Sequence, residues 1–356
     1  MTETTIETFL RNAWYLGAWP EELAAGGLLR RTIMNAPNVF IIGPDGKAAA
    51  LEDRCCHRGA PLTHGQVVEK GIECGYHGLV YDGSGKCVEI PGHVKIPPHA
   101  RVRSYPVGER QQFIWIWMGD AARADESKLI DFPYLDDHQN WPHKKGMFQI
   151  KANYMMLVDN LMDLTHLAYV HAKTIGGNRQ AHSGAELDAW ETDTGAHYLR
   201  WMMDASPPPT YQKAVGFAGN VDRWWDFEFV TPSSVIQWNG AIDVGKGARQ
   251  NQDQPGFHLR LFHSATPETE TTFHYFFSSA NGYKQDEPEA TEVLWSEIYP
   301  TFLEDKVIME VQQARIDLDP ERKLVVIPSD KALTHARTAI RRLIAEERAE
   351  LAQAAE

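Results

Sequence analysis

Cys55-Cys56-His57-Arg58-Gly59-Ala60-Pro61-Leu62 and Cys74-Gly75-Tyr76-His77-Gly78-Leu79 lie close together near the start of the chain, with the sixteen residues 58 to 73 separating His57 from Cys74. Two thiolates and two imidazoles delivered by two short loops can hold one compact metal centre. A tetrahedral structural zinc is one reading of that donor set. An iron–sulfur centre, with two sulfurs on one iron and two histidines on the other, is another. Histidine is neutral where thiolate is anionic, so mixed ligation raises the reduction potential and suits one-electron transfer. A disulfide is disfavoured, because a chain with four cysteines and no signal peptide reads as intracellular and reduced. The Cys-x-His spacing selects Cys55 as ligand, leaving Cys56 between the ligands and Cys87 as a buried, inert thiol.

At 356 residues the chain exceeds one small metal domain, so a second domain follows the first. With 43% hydrophobic and 23% charged residues and eleven tryptophans, the composition is that of a globular protein with a large core. No apolar run reaches the roughly 18 residues of a membrane span, and the N-terminal MTETTIETFL lacks the basic start of a leader. A cytoplasmic location is expected. The net charge of -13 disfavours nucleic acid, which needs a concentrated basic surface.

Residues 10 to 118 read as short strands broken by turns: Val39-Phe40-Ile41-Ile42 precedes Gly43-Pro44-Asp45-Gly46, and Phe113-Ile114-Trp115-Ile116-Trp117 precedes Gly119-Asp120. An all-β domain over 1–120, a polar connection over 121–146 and a second domain over 147–356 follow from this pattern. The second domain opens with a helix at 153–171. It continues with β segments 257–264 and 271–279, joined by Thr266-Pro267-Glu268-Thr269, and ends with helices at about 289–316 and 330–350. Pro207-Pro208-Pro209 reads as a loop. The fold class is α+β.

A second metal site is written into Asn160-Leu161-Met162-Asp163-Leu164-Thr165-His166-Leu167-Ala168-Tyr169-Val170-His171. Two histidines and an aspartate in an apolar helix cost several kcal/mol unless each is partnered. On a regular helix, at about 100° per residue, His166 and His171 point about 140° apart, so joint use needs a π-type bulge or a helix end. Two imidazoles and one carboxylate form the facial triad of non-haem iron(II) oxygenases, which leaves positions open. The carboxylate must come from elsewhere. With Leu294 at zero, Ile298, Phe302 and Met309 fall near about 40°, 80° and 60°, and Asp305 falls near about 20°, inside that apolar face. Glu304 and Glu310 fall outside it and read as solvated. Pro300 threatens the phase of this helix, and Arg315 or Lys306 offers Asp305 an alternative role as an ion-pair partner. Asp163, three residues before His166, is placed to accept that histidine's other ring N–H.

With both sites in view, the chain resembles the oxygenase component of Rieske non-haem iron oxygenases over its full length. It is most similar to the group containing vanillate O-demethylase, dicamba O-demethylase and toluenesulfonate methyl-monooxygenase. The carrying segments are Arg11 to Tyr15, Cys55 to Leu62, Cys74 to Leu79, Val88 to Gly92, Ile114 to Trp117, Val158 to His171 and Thr266 to Glu270. The resemblance implies an N-terminal Rieske domain and a C-terminal helix-grip catalytic domain, an antiparallel sheet closing on a long helix. It implies a [2Fe-2S] cluster on Cys55, His57, Cys74 and His77 and a mononuclear iron on His166, His171 and Asp305. It gives Asp163, with Asn160 beside it, a catalytic role linking His166 to the partner subunit's His77 in a homotrimer. His263 matches a polar pocket residue of the dicamba enzyme, whose pocket asparagine falls near Gln237 to Asn239 and whose pocket tryptophan falls near Trp295, one position out of register. The activity implied is O2-dependent hydroxylation of a substrate methyl group, with O-demethylation of a methoxybenzoate-type aromatic and release of formaldehyde. Ring-methyl hydroxylation of an aromatic sulfonate or carboxylate, and N-dealkylation, are the alternatives. A Rieske electron carrier without oxygenase activity is the reading from a different class. The sequence has no G-x-G-x-x-G after a strand, so NADH electrons require a separate reductase or ferredoxin.

Overall fold

In residues 9–23, 27–176 and 179–354, which the computed structural model describes, the short alternating runs of the first third form strands and the periodic runs at the end form helices. The chain divides into Phe9–Asp131 with Thr266–Thr269, and Phe132–Ala265 with the residues from Glu270 onward.

Three small sheets build the first unit. The wholly buried run Phe113–Trp117 forms the centre of one, between Trp14–Ala18 and Val107–Arg110. Leu29–Ile33, Ala36–Ile42, Ala48–Glu52 and Ser104–Tyr105 make the second. Gln66–Val68, Gly71–Glu73, Val80–Tyr81 and Cys87–Glu89 make the third.

The polar stretch assigned to a connection over 121–146 is more structured than its composition suggests. Asp120 and Asp125 cap successive 3-10 turns by accepting from the N–H groups of Ala122 and Ser127, so this part belongs to the first unit. The strand His143–Ile150 takes the far end. Thr266-Pro267-Glu268-Thr269 is likewise the end of the strand Phe257–Thr269 and not the turn; the reversal comes at Glu270-Thr271. Pro267 lacks an N–H but keeps its carbonyl, which accepts from Met34 N at 2.9 Å while Glu268 O accepts from Asn35 N at 2.8 Å. The side chain of Thr266 donates to Leu16 O at 2.7 Å.

The second unit is a seven-stranded sheet in the order His143–Ile150, Thr272–Asn281, Phe257–Thr269, Ser234–Asp243, Val221–Val230, Gly195–Ala205, Glu186–Glu191. Period-2 alternation and register bring side chains into rows across one face. Trp225 pairs with Arg200 and Asn239, and Asn239 with Leu259; Phe227 pairs with Tyr198 and Gln237, and Gln237 with Leu261. The 29-residue helix Pro288–Ile316 packs on His143–Ile150 and Thr272–Asn281, and the helix Lys331–Ala354 on Gly195–Ala205 and Glu186–Glu191. Pro300 leaves the long helix unbroken: it lies on the exposed side, as does Ser296, whose carbonyl it frees. Pro209, read as loop, opens the helix Pro209–Val215, because proline suits the first helical position. Among the described residues no helix is long and apolar enough to cross a membrane.

A single helix over 153–171 does not form. Met155–Met162 is helical, Asp163 is extended (φ -133, ψ 97), and a 3-10 turn Leu164–His166 leads into the short helix Leu167–Val170. Asp163 makes the break because its carboxylate caps the next turn at Thr165 N, competing with helix continuation. The first of these helices is clamped from the C-terminal one, where Arg337 Nε and Nη2 donate to the two carboxylate oxygens of Asp159 at 2.7 and 2.6 Å. Both partners are partly buried, so Arg337→Met is expected to lower stability by about 1–2 kcal/mol, read as a lower urea midpoint.

Candidate metal centres

The two loops of the first site are built to one plan. Cys55 N donates to Ala60 O at 2.8 Å and Gly59 N to Cys55 O at 2.9 Å; Cys74 N donates to Leu79 O at 2.8 Å and Gly78 N to Cys74 O at 2.9 Å. Each loop therefore holds its cysteine at the same place in a closed turn, with a left-handed glycine (φ +71 and +73) four residues on. The loops also approach backbone to backbone. A Cβ on Gly65 would come within 1.8 Å of Glu73 O, and one on Gly75 within 2.3 Å of His64 O. Cys55 and Cys74 are buried, and their thiols are hydrogen-bonding neighbours. His57 and His77 are exposed, with ring centroids 4.5 Å apart. Two buried sulfurs facing each other and two adjacent imidazoles at the surface fit a centre with one sulfur-bound and one histidine-bound iron.

Tyr81, wholly buried, places its hydroxyl 3.1 Å from Cys55 Sγ and 3.2 Å from Cys56 Sγ. Burial, reinforced by the two thiols, raises its pKa and keeps the phenol a donor. A hydrogen bond donated to a ligand thiolate favours the reduced cluster. Tyr81→Phe is therefore expected to lower the potential by roughly 50–100 mV, measured by redox titration. Cys87 is a buried thiol whose pKa burial pushes up.

The second site lies wholly in the second unit. His166, His171 and Asp305 bring one ligand atom each to within 4.8 Å of one another. His171 Nε2 is 3.0 Å and His166 Nε2 3.6 Å from Asp305 Oδ1, with the imidazole centroids 5.3 Å apart. Convergence comes from a helix end: His171 terminates Leu167–Val170 and leaves helical geometry (φ -111, ψ 28). Each ring is oriented through its other nitrogen, as metal-bound histidines are. His166 Nδ1 donates to the backbone carbonyl of Asp163 at 2.7 Å, and His171 Nδ1 to Glu304 Oε2 at 2.7 Å.

Two sequence readings change here. The His166 N–H goes to the Asp163 carbonyl and not to its carboxylate, which is occupied at Thr165 N, because the chain breaks at Asp163. Glu304, read as solvated, is half-exposed yet bonded to His171, since that histidine reaches it from another element. Asp305 is buried as its helix phase indicates, and Asn160 Nδ2 donates to its Oδ1 at 3.0 Å. Lys306 instead pairs with Glu310 at 2.6 Å.

Burial lowers the pKa of His166, keeping it neutral. At His171 burial acts the same way, but Asp305 and Glu304 outweigh it and raise the pKa. Two neutral-capable imidazoles and one carboxylate, each held from behind, fit a divalent iron with open positions.

A largely apolar cavity adjoins this triad. Leu161, Leu259, Leu261, Ile298, Phe302, Tyr211 and Trp225 line it, with Asn160, Gln237 and Asn239 among its polar groups. His263 and Trp295 are not on its wall. His263 is fully buried, bonded through Nδ1 to Tyr275 Oη at 2.7 Å and edge-on to the cavity-lining Phe302, with ring centroids 5.2 Å apart. Trp295 stacks on Phe277 at 5.7 Å. Thr210, Tyr211 and Trp225 went unread, since only strand register and a short helix bring them together.

Burial depresses His263 to about 3 and His182 to about 4. Unfolded histidine binds a proton below about pH 6.5, while the native state refuses it. Stability is thus full above that pH and falls as pH drops towards these values, by about 1.4 kcal/mol per pH unit for each group. Urea unfolding at pH 7.5 and 5.5 is expected to give the lower midpoint at pH 5.5.

One pair of loops for one-electron transfer and one triad with open positions define an iron-dependent oxidoreductase of the oxygenase class. Residues 13–106 match the Rieske [2Fe-2S] domain, and residues 150–346 match the vanillate O-demethylase oxygenase C-terminal domain. The chain belongs to the oxygenase components of Rieske non-haem iron monooxygenases, whose cofactors are a [2Fe-2S] cluster and a mononuclear iron. It is 37% identical to the toluene-4-sulfonate monooxygenase system iron-sulfur subunit of Comamonas testosteroni, over 95% of this chain and 98% of that one. It is 38% identical to the dicamba O-demethylase oxygenase component of Stenotrophomonas maltophilia, over 86% and 89%. The crystal structure of dicamba monooxygenase bound to 3,6-dichlorosalicylic acid superposes with a TM-score of 0.89 at 35% identity, covering 96% of this chain and 100% of that one.

Proposed function

We propose that this oxygenase component hydroxylates a methyl C–H of a substituted aromatic, and that its reaction is O-demethylation of a methoxybenzoate-type compound. The observation that carries the reading is the triad of His166, His171 and Asp305 at an aromatic-walled cavity. Cys55, His57, Cys74 and His77 would hold the cluster, and His166, His171 and Asp305 the mononuclear iron. When bound, the cluster supplies single electrons and the iron supplies O2 chemistry at its open positions. The chain's own residues do the rest. Asp163 O and Glu304 hold the two imidazoles with Nε2 forward, and Asn160 fixes the Asp305 carboxylate. Leu161, Ile298, Phe302 and Trp225 exclude water and pack the ring. Gln237 and Asn239, with Asn239 Nδ2 donating to Gln237 Oε1 at 3.1 Å, offer the amides that orient polar substituents. A hydroxylated methoxy carbon is a hemiacetal and loses formaldehyde. The similarity to the toluene-4-sulfonate relative supports ring-methyl hydroxylation, with an alcohol product, as the second reading.

The same proposal includes a separate reductase or ferredoxin, a cytoplasmic location and a homotrimer in which Asp163 serves electron transfer between subunits. Asp305→Ala is expected to lose the mononuclear iron while keeping the cluster absorption. Asp163→Asn is expected to keep both metals and slow NADH-coupled turnover by about 10–100-fold; normal turnover would remove its bridging role. A panel of methoxy-, methyl- and N-methyl-aromatics with a generic reductase tests the reaction, with formaldehyde from the methoxybenzoates as the expected product.

A further inference from the structure

One histidine of the triad is gripped at both ends by consecutive carboxylates of a single helix. His171 Nε2 is 3.0 Å from Asp305 Oδ1, while its Nδ1 donates to Glu304 Oε2 at 2.7 Å. Adjacent helix positions point about 100° apart, so Asp305 takes the buried side of the helix and Glu304 meets the ring from behind. The imidazole is 1% exposed and the Glu304 side chain 49%, so the bond joins a buried ligand to a carboxylate that water reaches. His166 is held differently: its Nδ1 donates to the backbone carbonyl of Asp163, a neutral acceptor.

The grip on His171 is organised from both segments. Thr174 N and Gly176 N both donate to His171 O, at 3.1 and 3.0 Å. A Cβ on Gly176 would come within 2.1 Å of Leu167 O, so the turn closes this tightly only with glycine. Thr301, one turn before Glu304, donates to Glu297 O at 2.8 Å and has its hydroxyl 3.2 Å from that of Thr174. The turn after His171 and the helix carrying Glu304 are thus tied together without help from the imidazole.

A hydrogen bond to a carboxylate is about twice as strong as one to a neutral carbonyl, and it raises the basicity of the opposite ring nitrogen. Beside a buried ring that bond is also stronger than in water, so the half-exposure of Glu304 does not cancel its charge. A divalent ion on two neutral imidazoles and one carboxylate keeps one positive charge uncompensated, which is costly beside an apolar cavity. Among the described residues, Asp305 and Glu304 are the carboxylates within ion-pair range of the two imidazoles.

We propose that Glu304 is a positioning residue for the mononuclear iron whose negative charge, and not only its hydrogen bond, is required: it makes His171 the stronger imidazole donor and supplies the second negative charge of the site. The inference rests on His166, His171 and Asp305 being the iron ligands. Iron affinity then has a control at the protein surface, outside both the triad and the cavity.

The test titrates ferrous iron anaerobically, against a ferrous chelator, into cluster-loaded protein depleted of mononuclear iron. Wild type, Glu304→Gln, Glu304→Ala and Asp305→Ala are compared, and unchanged cluster absorption checks that each is folded. Glutamine keeps an acceptor for His171 Nδ1 but carries no charge. Glu304→Gln is expected to bind iron about 10-fold more weakly and Glu304→Ala about 10–100-fold. A role confined to holding the ring gives another pattern, with wild-type affinity in Glu304→Gln and loss in Glu304→Ala alone. That pattern, or wild-type affinity in both, overturns the proposal. Should Glu304→Ala not fold, Glu304→Gln decides. The second readout is the ferric-to-ferrous ratio of the mononuclear iron at fixed potential, followed by EPR. Losing a negative charge favours the ferrous form, so Glu304→Gln is expected to lower the ratio about tenfold, or about 59 mV for one electron; an unchanged ratio overturns the proposal. Asp305→Ala reports on the premise. Tight iron binding in that variant removes the triad as the iron site and the proposal with it, whereas loss there beside full affinity in Glu304→Gln removes the charge of Glu304 alone.

Discussion

A buried carboxylate must be balanced, and Asp305 is balanced from three directions. His171 and His166 approach its Oδ1 from one short segment, and Asn160 donates to the same oxygen from the helix before it. These contacts tie the long helix Pro288–Ile316 to the broken segment 155–171, and that segment is in turn clamped by Arg337 on the C-terminal helix. Removing the charge would leave polar groups facing an apolar cavity, which is costly unless something replaces it. A divalent iron turns the same cluster of groups into a satisfied coordination site.

The N-terminal centre solves a different problem. Two loops with one hydrogen-bond plan put two thiols inside and two imidazoles at the surface. The loops differ by one residue in sequence, since His57 is two places after its cysteine and His77 three places after its own, while the glycine is four places on in both. A cluster held by these residues would have its histidine side at the surface, where burial would not insulate it from an electron donor.

Much of this was legible in the sequence because ligand spacing and helix phase are local. The two Cys/His pairs and the pair His166 and His171 needed only the order of residues, and the apolar stripe of Leu294, Ile298, Phe302 and Met309 chose Asp305 over Glu304. What depends on partners from distant elements was not legible. Glu304 reads as solvated from its own helix, and only the approach of His171 gives it a bond. Asp163 breaks its helix because its carboxylate finds Thr165 N, a choice that apolar periodicity does not register. His263 and Trp295 belong to packing next to the cavity, while Trp225 reaches it through strand register. Trp225 did carry a signal: it shares a face with Phe227 in a strand whose period is two.

The central claim is that one chain carries both an electron-transfer cluster and a separate oxygen-activating iron. Iron, zinc and acid-labile sulfide analysis of the anaerobically purified protein, on wild type and Asp305→Ala together, tests it most directly. Three irons and two sulfides per chain are expected, falling to two irons with the sulfide unchanged in the variant. Zinc in place of iron, or loss of sulfide together with the third iron, would contradict it.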